Sequence, residues 1–406
     1  MDYVRKLSNI NLVTMASVFG LELLAEGILS PILPLYLTYI GITPKILGLM
    51  FSLVWMGMII GEGIWGWISD KLGPKIPLSV GTLISGLLVL GFALSVNIPL
   101  IFTIFLFWGI FRSAIFGPIR GYIGTNTPPL KKATFMAIFN SVMIASSCLG
   151  TLPSGFIVDS LGYHWNFYIS SGISILAGII LIGGLKIPLI MKRQNTTIAS
   201  RPGKYLYSKV WGNSYHAIII QCIVTALAHI GFGLSMTFLP LLATQVIGVN
   251  ASKVGILFGI AALITVIFAI PIGTLADRKR RKVIMILGLL VSVSGLAGIS
   301  FVGTFWWLVV CFVVLEIGMA TFNSAALALL SEKVLPQQQG TAMGFYGGAG
   351  ENLGTIIGTV LGGVFWSFWG QKVFLLGMTA GCVGTIICLI LVKDTVPVNV
   401  KRTSEL

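Results

Sequence analysis

The sequence predicts an all-α membrane protein, with twelve transmembrane helices in two pseudo-symmetric six-helix bundles. Three observations carry this. The chain has 406 residues, of which 56% are hydrophobic and only 9% charged, with mean hydropathy +0.97; a soluble domain is roughly a quarter charged. Twelve apolar runs follow one another, each long enough for the ~30 Å hydrocarbon core at 1.5 Å per residue. The chain also repeats itself at an offset of 207 residues. That offset links Gly41 to Gly248, Gly48 to Gly255, Asp70 to Asp277, Thr134 to Thr341, Gly155 to Gly362 and Phe167 to Phe374. Pro34 and Pro240 miss it by one residue, as a single insertion would cause. A shared offset over that length marks a duplicated unit.

In order, the runs are 12–36, 46–69, 76–96, 98–123, 133–158 and 165–187, then 214–242, 253–276, 282–303, 305–330, 341–367 and 372–392. In lipid every backbone polar group is satisfied internally, so these are helices. None alternates polar and apolar as a barrel strand would. Arg5 and Lys6 before the first run mimic a signal peptide. The run is too long and carries two glutamates, so it is read as a retained first helix. Residues 188–213 are the one long polar segment, with Lys192, Arg193, Arg201, Lys204 and Lys209. The expected organisation is a bundle over 1–187, a basic linker over 188–213 and a second bundle over 214–406.

The net charge of +14 could point to nucleic acid. Its placement points elsewhere. Of 26 Lys and Arg, 21 fall in one alternating set of loops and termini. Lys45, Lys253 and Lys372 fall in the other set, and Arg112 and Arg120 fall inside a run. This is the positive-inside asymmetry, and it predicts a plasma-membrane protein with both termini cytoplasmic. Cys148, Cys222, Cys311, Cys382 and Cys388 all lie in apolar runs, without disulfide or zinc spacing.

Two loops stand out. Gly66-Trp-Ile-Ser-Asp70-Lys71-Leu-Gly73-Pro-Lys75 is matched 207 residues later by Gly273-Thr-Leu-Ala-Asp277-Arg278-Lys-Arg-Arg281-Lys282. The first resembles the signature loop between the second and third helices of the major facilitator superfamily of transporters, and its copy resembles the loop between helices eight and nine. Pro74 stands where a basic residue is usual, and Arg280 where glycine is usual. The resemblance implies the major facilitator fold. It also implies that Gly66, Asp70, Lys71, Gly73, Lys75, Gly273, Asp277, Arg278 and Arg281 form cytoplasmic gating loops. In such a gate the aspartate sits at a helix N-terminus of the other half, where the helix dipole favours negative charge.

A charge at mid-bilayer costs roughly 2.5–3.5 kcal/mol or more, so each one is a functional candidate. They are Glu22 and Glu26 in the first run, Glu62 in the second, Arg112 in the fourth, Glu316 in the tenth and Glu351 in the eleventh. The third, sixth, ninth and twelfth runs have uncharged interiors. The resemblance implies that those four face lipid, while 1, 4, 7 and 10 line the central cavity and 2, 5, 8 and 11 join the halves. Glu22 and Glu26 lie one helical turn apart. Two carboxylates so close in low dielectric do not both ionise cheaply, which suits a proton-coupling site. In the other reading one of them pairs with Arg112 as a structural ion pair and the other bonds polar neighbours. The superfamily's fourth-helix arginine would fall at Phe105, so its proton-relay role does not transfer to Arg112.

Glu62 either joins the signature-loop charges or faces the cavity. Glu316, Asn323 and Glu351 form either a cation-binding cluster or interhelical hydrogen bonds. His229, alone in the seventh run, suits a bonded core histidine better than a metal ligand. Gly350, Gly354, Gly358 and Gly362 open one helix face to close backbone approach. Gly150, Pro153, Ser154 and Gly155 partly match the glycine-proline motif of the superfamily's drug:proton antiporters, and Pro31 and Pro34 resemble their first-helix proline pair.

The expected function is secondary active transport by alternating access, as proton-coupled efflux of small amphipathic or cationic compounds. The alternative is proton-coupled transport of a metabolite such as a sugar or organic anion. No cofactor is expected beyond the proton gradient. The expected partners are a small-molecule substrate and the lipid bilayer, with no nucleic acid, for a chain working as a monomer. An enzyme is not expected, because HExxH, GxSxG and paired His/Cys spacings are absent. An ATP-driven pump lacks its GxxxxGK[ST] loop, and a sensor lacks a soluble output segment.

Overall fold

A computed structural model describes residues 2–119, 122, 132–185, 215–278, 280–334 and 339–393. Among them every regular element is helical. The crossings are α1 (Asp2–Leu29), α2 (Pro44–Leu72), α3 (Lys75–Leu94), α4 (Ile98–Arg112), α5 (Lys132–Leu161) and α6 (Tyr163–Gly184). The second set is α7 (Tyr215–Leu241), α8 (Ala251–Arg278), α9 (Arg281–Ile299), α10 (Phe305–Lys333), α11 (Leu353–Trp369) and α12 (Phe374–Leu391). Eleven stretches of the described residues are long and apolar enough to cross a membrane, the last of them 50 residues long. At 1.5 Å per residue that stretch would reach about 75 Å as one rod. It turns instead at Gly370, whose φ of 53° favours glycine, and so supplies two crossings. The basic linker at 188–213 lies outside the described residues.

Several of the apolar runs are broken helices. α1 stops at Leu29 and resumes as a short helix, Leu33–Tyr39, because Pro31 has no N–H to continue the ladder. α4 tightens into a 3₁₀ turn at Ser113–Ile115, immediately after Arg112. α11 is preceded by the helix Gln339–Tyr346 and a π turn, Gly347–Asn352, which holds Glu351.

The duplication appears in the packing. In the first half α1 packs on α5 and α6, α2 on α4, and α3 on α4 and α6. Adding six to each label gives the main pairs of the second half. The halves meet through α2 with α11 and α5 with α8, a set that maps onto itself under the same exchange. Lys75 Nζ donates to the Leu185 carbonyl at the end of α6 (2.9 Å), and its repeat partner Lys282 donates to Leu389 O near the end of α12 (2.8 Å). Each lysine thus answers a carbonyl that a helix terminus leaves unpaired.

Glycine sets how close the halves come. A Cβ on Gly48 of α2 would collide with the Thr359 carbonyl of α11 and sit 2.9 Å from Gly363 Cα. A Cβ on Gly155 of α5 would collide with Ala251 O of α8. The four-spaced face of Gly350, Gly354 and Gly358 packs on α7, within its own half, against Thr225, Ala226 and Ile230. Both inter-half contacts lie at the end opposite the two basic loops. Toward the basic end a Cβ on Gly63 or Gly66 of α2, or on Gly344 of the helix that precedes α11, would meet no described atom within 4 Å.

Candidate functional site

The two halves enclose a central cavity of about 300 Å³. Its wall is largely apolar. Phe51 and Trp55 of α2, Trp108 of α4, Phe232 of α7, Phe258 of α8 and Phe312 of α10 contribute rings. Among the described residues three charged groups line it: Glu26, Arg112 and Glu316.

Arg112 reaches α1 from the end of α4. Its Nε donates to Glu26 Oε2 at 2.9 Å, and its Nη2 donates to Glu26 Oε1. Nη1 lies 3.2 Å from Met58 Sδ. The guanidinium also faces the Trp55 and Trp108 rings, at 5.9 and 5.6 Å from their centroids. A bidentate, aromatic-flanked arginine is held in place and its charge is answered locally. Glu316 enters from α10, in the other half. Its Oε1 is buried and has no hydrogen-bond partner among the described residues. With Glu26 and Arg112 cancelling, an ionised Glu316 leaves the cavity one negative charge in excess.

Glu22 and Glu26 part company although one turn separates them. Glu22 is 4% exposed and lies inside the first bundle, where Ser85 Oγ of α3 donates to its Oε1 at 3.1 Å. Glu62 is half-buried on α2 and outside the cavity wall. His229 is buried, with Nδ1 2.9 Å from Thr225 O and its ring 5.8 Å from Phe232. Glu351 lies close enough for its charge to act on His229 and Tyr346, and Tyr346 Oη accepts a hydrogen bond from Thr225 (2.9 Å). The structure therefore separates Glu316 from Glu351. Asn323 lies two turns beyond Glu316 on α10, its Oδ1 buried and without a hydrogen-bond partner among the described residues.

At the first basic loop Gly73 caps α2 with φ 83°, and Lys71 stacks on Trp67 at 4.0 Å. Asp70 is exposed and makes no hydrogen bond or ion pair among the described residues, so the gating contact that the resemblance implies for it is not found among them. Gly273, Asp277 and Arg278 fall in the last turns of α8, and their side chains lie outside what the structure describes. Arg281 pairs with Glu332 at 3.2 Å.

Sequence reasoning missed a contact between the halves. Asp159, at the end of α5, accepts hydrogen bonds from Ser252 N (2.8 Å) and Ser252 Oγ at the start of α8. The partners are 93 residues apart. The only trace in sequence is an acid just past the end of a run and a serine opening another.

The fold and the cavity define a membrane transporter of the two-bundle type. The Major Facilitator Superfamily model matches residues 15–214 and 221–405, and the chain belongs to that family. Among its relatives is an uncharacterised MFS-type transporter of Methanocaldococcus jannaschii, 24% identical over 341 residues, covering 83% of this chain and 86% of that one. The multidrug resistance protein MdtG of Citrobacter koseri is 24% identical over 377 residues, 88% of each chain. The quinolone resistance protein NorA of Staphylococcus aureus is 22% identical over 371 residues, 90% of this chain and 92% of that one. Among solved structures, a variant of the nucleoside transporter NupG superposes with TM-score 0.76 at 15% identity, over 94% of this chain and 100% of that one. A bacterial homologue of the lysosomal transporter Spinster, inward-facing and unoccupied, gives 0.75 at 12% identity, over 95% of each.

Proposed function

We propose that this transporter exports small amphipathic organic cations in exchange for protons by alternating access. The observation that carries this reading is the cavity: aromatic walls around one carboxylate, Glu316, that no cation among the described residues pairs with. A positively charged, partly apolar compound fits such a surface, through charge at Glu316 and cation–π contact with the rings. A proton on Glu316 neutralises the same excess charge, so proton and substrate compete for it. The resistance proteins MdtG and NorA, similar over most of the chain, support the efflux reading. The metabolite alternative fares worse for an anion, because Arg112 is already bound to Glu26 through two nitrogens.

In this reading the chain is a plasma-membrane protein working as a monomer, with a six-helix bundle on each side of the 188–213 linker. The basic loops and both termini face the cytoplasm. The end closed by the Gly48 and Gly155 contacts is then the outer one, and the end with open space at Gly63 and Gly66 faces the cytoplasm. Asp70 awaits its helix terminus in the state that closes the inner end.

The test is transport of ethidium in proteoliposomes under an imposed pH gradient, for wild type, Glu316→Gln, Glu26→Gln and Glu22→Gln. Gradient-driven uptake by wild type that Glu316→Gln loses supports the reading. Ethidium transport indifferent to the gradient, or unchanged in Glu316→Gln, sinks it.

A further inference from the structure

Glu22 stands outside the cavity, and its surroundings have a chemistry of their own. Three helices of the first half meet there: α1, α3 and α6. Ser85 of α3 and Ser174 of α6 each bring a hydroxyl to the carboxylate. Thr82 lies one turn before Ser85 on the same face of α3 and is 1% exposed. Glu22 Oε2 and Thr82 Oγ1 are both buried and have no hydrogen-bond partner among the described residues. The next hydroxyls on α6 are already engaged, Ser170 with Ala25 O and Ser171 with Gly86 O, each at 2.8 Å. The charged groups that act on Glu22 are Glu26 and Arg112, which are bound to each other and largely cancel. A bare carboxylate buried this deeply, with no base of its own, is not stable.

We propose that this nest binds a sodium-sized monovalent metal cation, with Glu22 supplying the charge and the Ser85, Ser174 and Thr82 hydroxyls completing the oxygen shell. The donor set is all oxygen, which suits a hard cation. One carboxylate neutralises one positive charge, so a divalent ion would leave the interior charged. A proton on Glu22 would also remove the charge. It would leave the remaining lone pairs of three converging helices unanswered, and a metal cation satisfies those together.

All the ligands come from one half. Rocking of one bundle against the other does not open the nest, so the ion is retained through the cycle and is not the exchanged species. Its effect is to tie α1 to α3 and α6. That tie places Glu26, one turn further along α1, at the cavity wall where Arg112 meets it. The site is thus independent of whether the substrate is a cation.

The experiment is thermal unfolding of the purified full chain in detergent, followed by tryptophan fluorescence. Sodium, potassium and choline chlorides are exchanged at constant ionic strength and pH. The expected result is a saturable rise in Tm of about 2 °C or more with sodium, smaller with potassium and absent with choline. Glu22→Gln removes the rise, and Thr82→Val weakens the apparent sodium affinity. Equal Tm in the three salts overturns the proposal, as does a sodium effect that survives Glu22→Gln. A Tm that follows pH and ignores the salt also overturns it, and marks Glu22 as a carboxylic acid holding a proton. If Glu22→Gln does not fold, the wild-type salt series and Thr82→Val still decide.

Discussion

Asp159 and Ser252 join the two halves of the protein: one carboxylate oxygen accepts both the backbone N–H and the hydroxyl of the serine. The contact ties the end of α5 to the first turn of α8, beside the Gly155–Ala251 approach. A negative charge there also suits the helix N-terminus. Asp159→Asn keeps the shape and removes the charge. A hydrogen bond to a charged group is worth about 1.5–3 kcal/mol when shielded, and Asp159 is exposed, so the lower end applies. Asp159→Asn should shift the equilibrium roughly tenfold toward the state open at that end. Distances between spin labels on the ends of α5 and α8 measure this, and an unchanged distribution would show that the clasp does not hold the closed state.

Gly155 tests the same closure by volume. A side chain at this position overlaps the Ala251 carbonyl when the halves meet. Overpacking of this kind costs about 1–3 kcal/mol, all of it charged to the closed end. Gly155→Val should insert and fold normally but lose transport by roughly an order of magnitude or more. Cysteine pairs across α5 and α8 should then cross-link poorly. Efficient cross-linking with normal transport would mean that the backbones need not come so close.

Glu26 and Arg112 test pairing. Removing one partner of a buried pair strands the other and costs about 3–5 kcal/mol. Arg112→Met should therefore lower Tm more than the double variant Glu26→Gln/Arg112→Met. The double variant should regain most of the loss. A double variant at least as unstable as Arg112→Met would mean that the arginine acts through its rings, Trp55 and Trp108, more than through the carboxylate.

Glu316 should separate charged from neutral ligands. Loss of a charge-assisted contact worth about 1.5–3 kcal/mol predicts a tenfold or greater drop in ethidium affinity for Glu316→Gln. A neutral compound of similar size should bind almost as before. Equilibrium fluorescence binding in detergent reports both, and an equal loss for the two would reduce Glu316 to a packing residue.

Lys75 and Lys282 are repeat partners that hold the ends of α6 and α12. Lys75→Met and Lys282→Met should each cost about 0.3–1 kcal/mol, the scale of a cation at a helix C-terminus. The two Tm shifts should be alike. A large shift for one and none for the other would mean that the duplicated contact no longer does the same work in both halves.

Much of the architecture is readable from local chemistry. Gly66–Lys75 and its copy mark the repeat, and the exchange-symmetric packing of α1–α6 and α7–α12 follows from it. The helix breaks were less legible. Pro31 signals one, but the π turn at Gly347–Asn352 leaves no proline and is hidden in a glycine-rich run. The glycine face at 350–358 predicts close packing without saying against what, and the answer is α7 within the same half.

By itself the sequence determined the solvent, the helical class and the duplication. Each of these is written in composition and spacing along a single stretch of chain, and lipid punishes any unpaired backbone group wherever it falls. Only the tertiary structure decided what each buried charge meets. Glu22 and Glu26 differ by about 40° around α1, yet one meets serines of α3 and α6 and the other meets Arg112, 86 residues away. Glu316 is left facing the cavity, and no cation among the described residues pairs with it. The physical reason is that a charge in low dielectric takes its state from whatever lies within a few ångströms, and that neighbourhood is assembled from helices far apart in the chain.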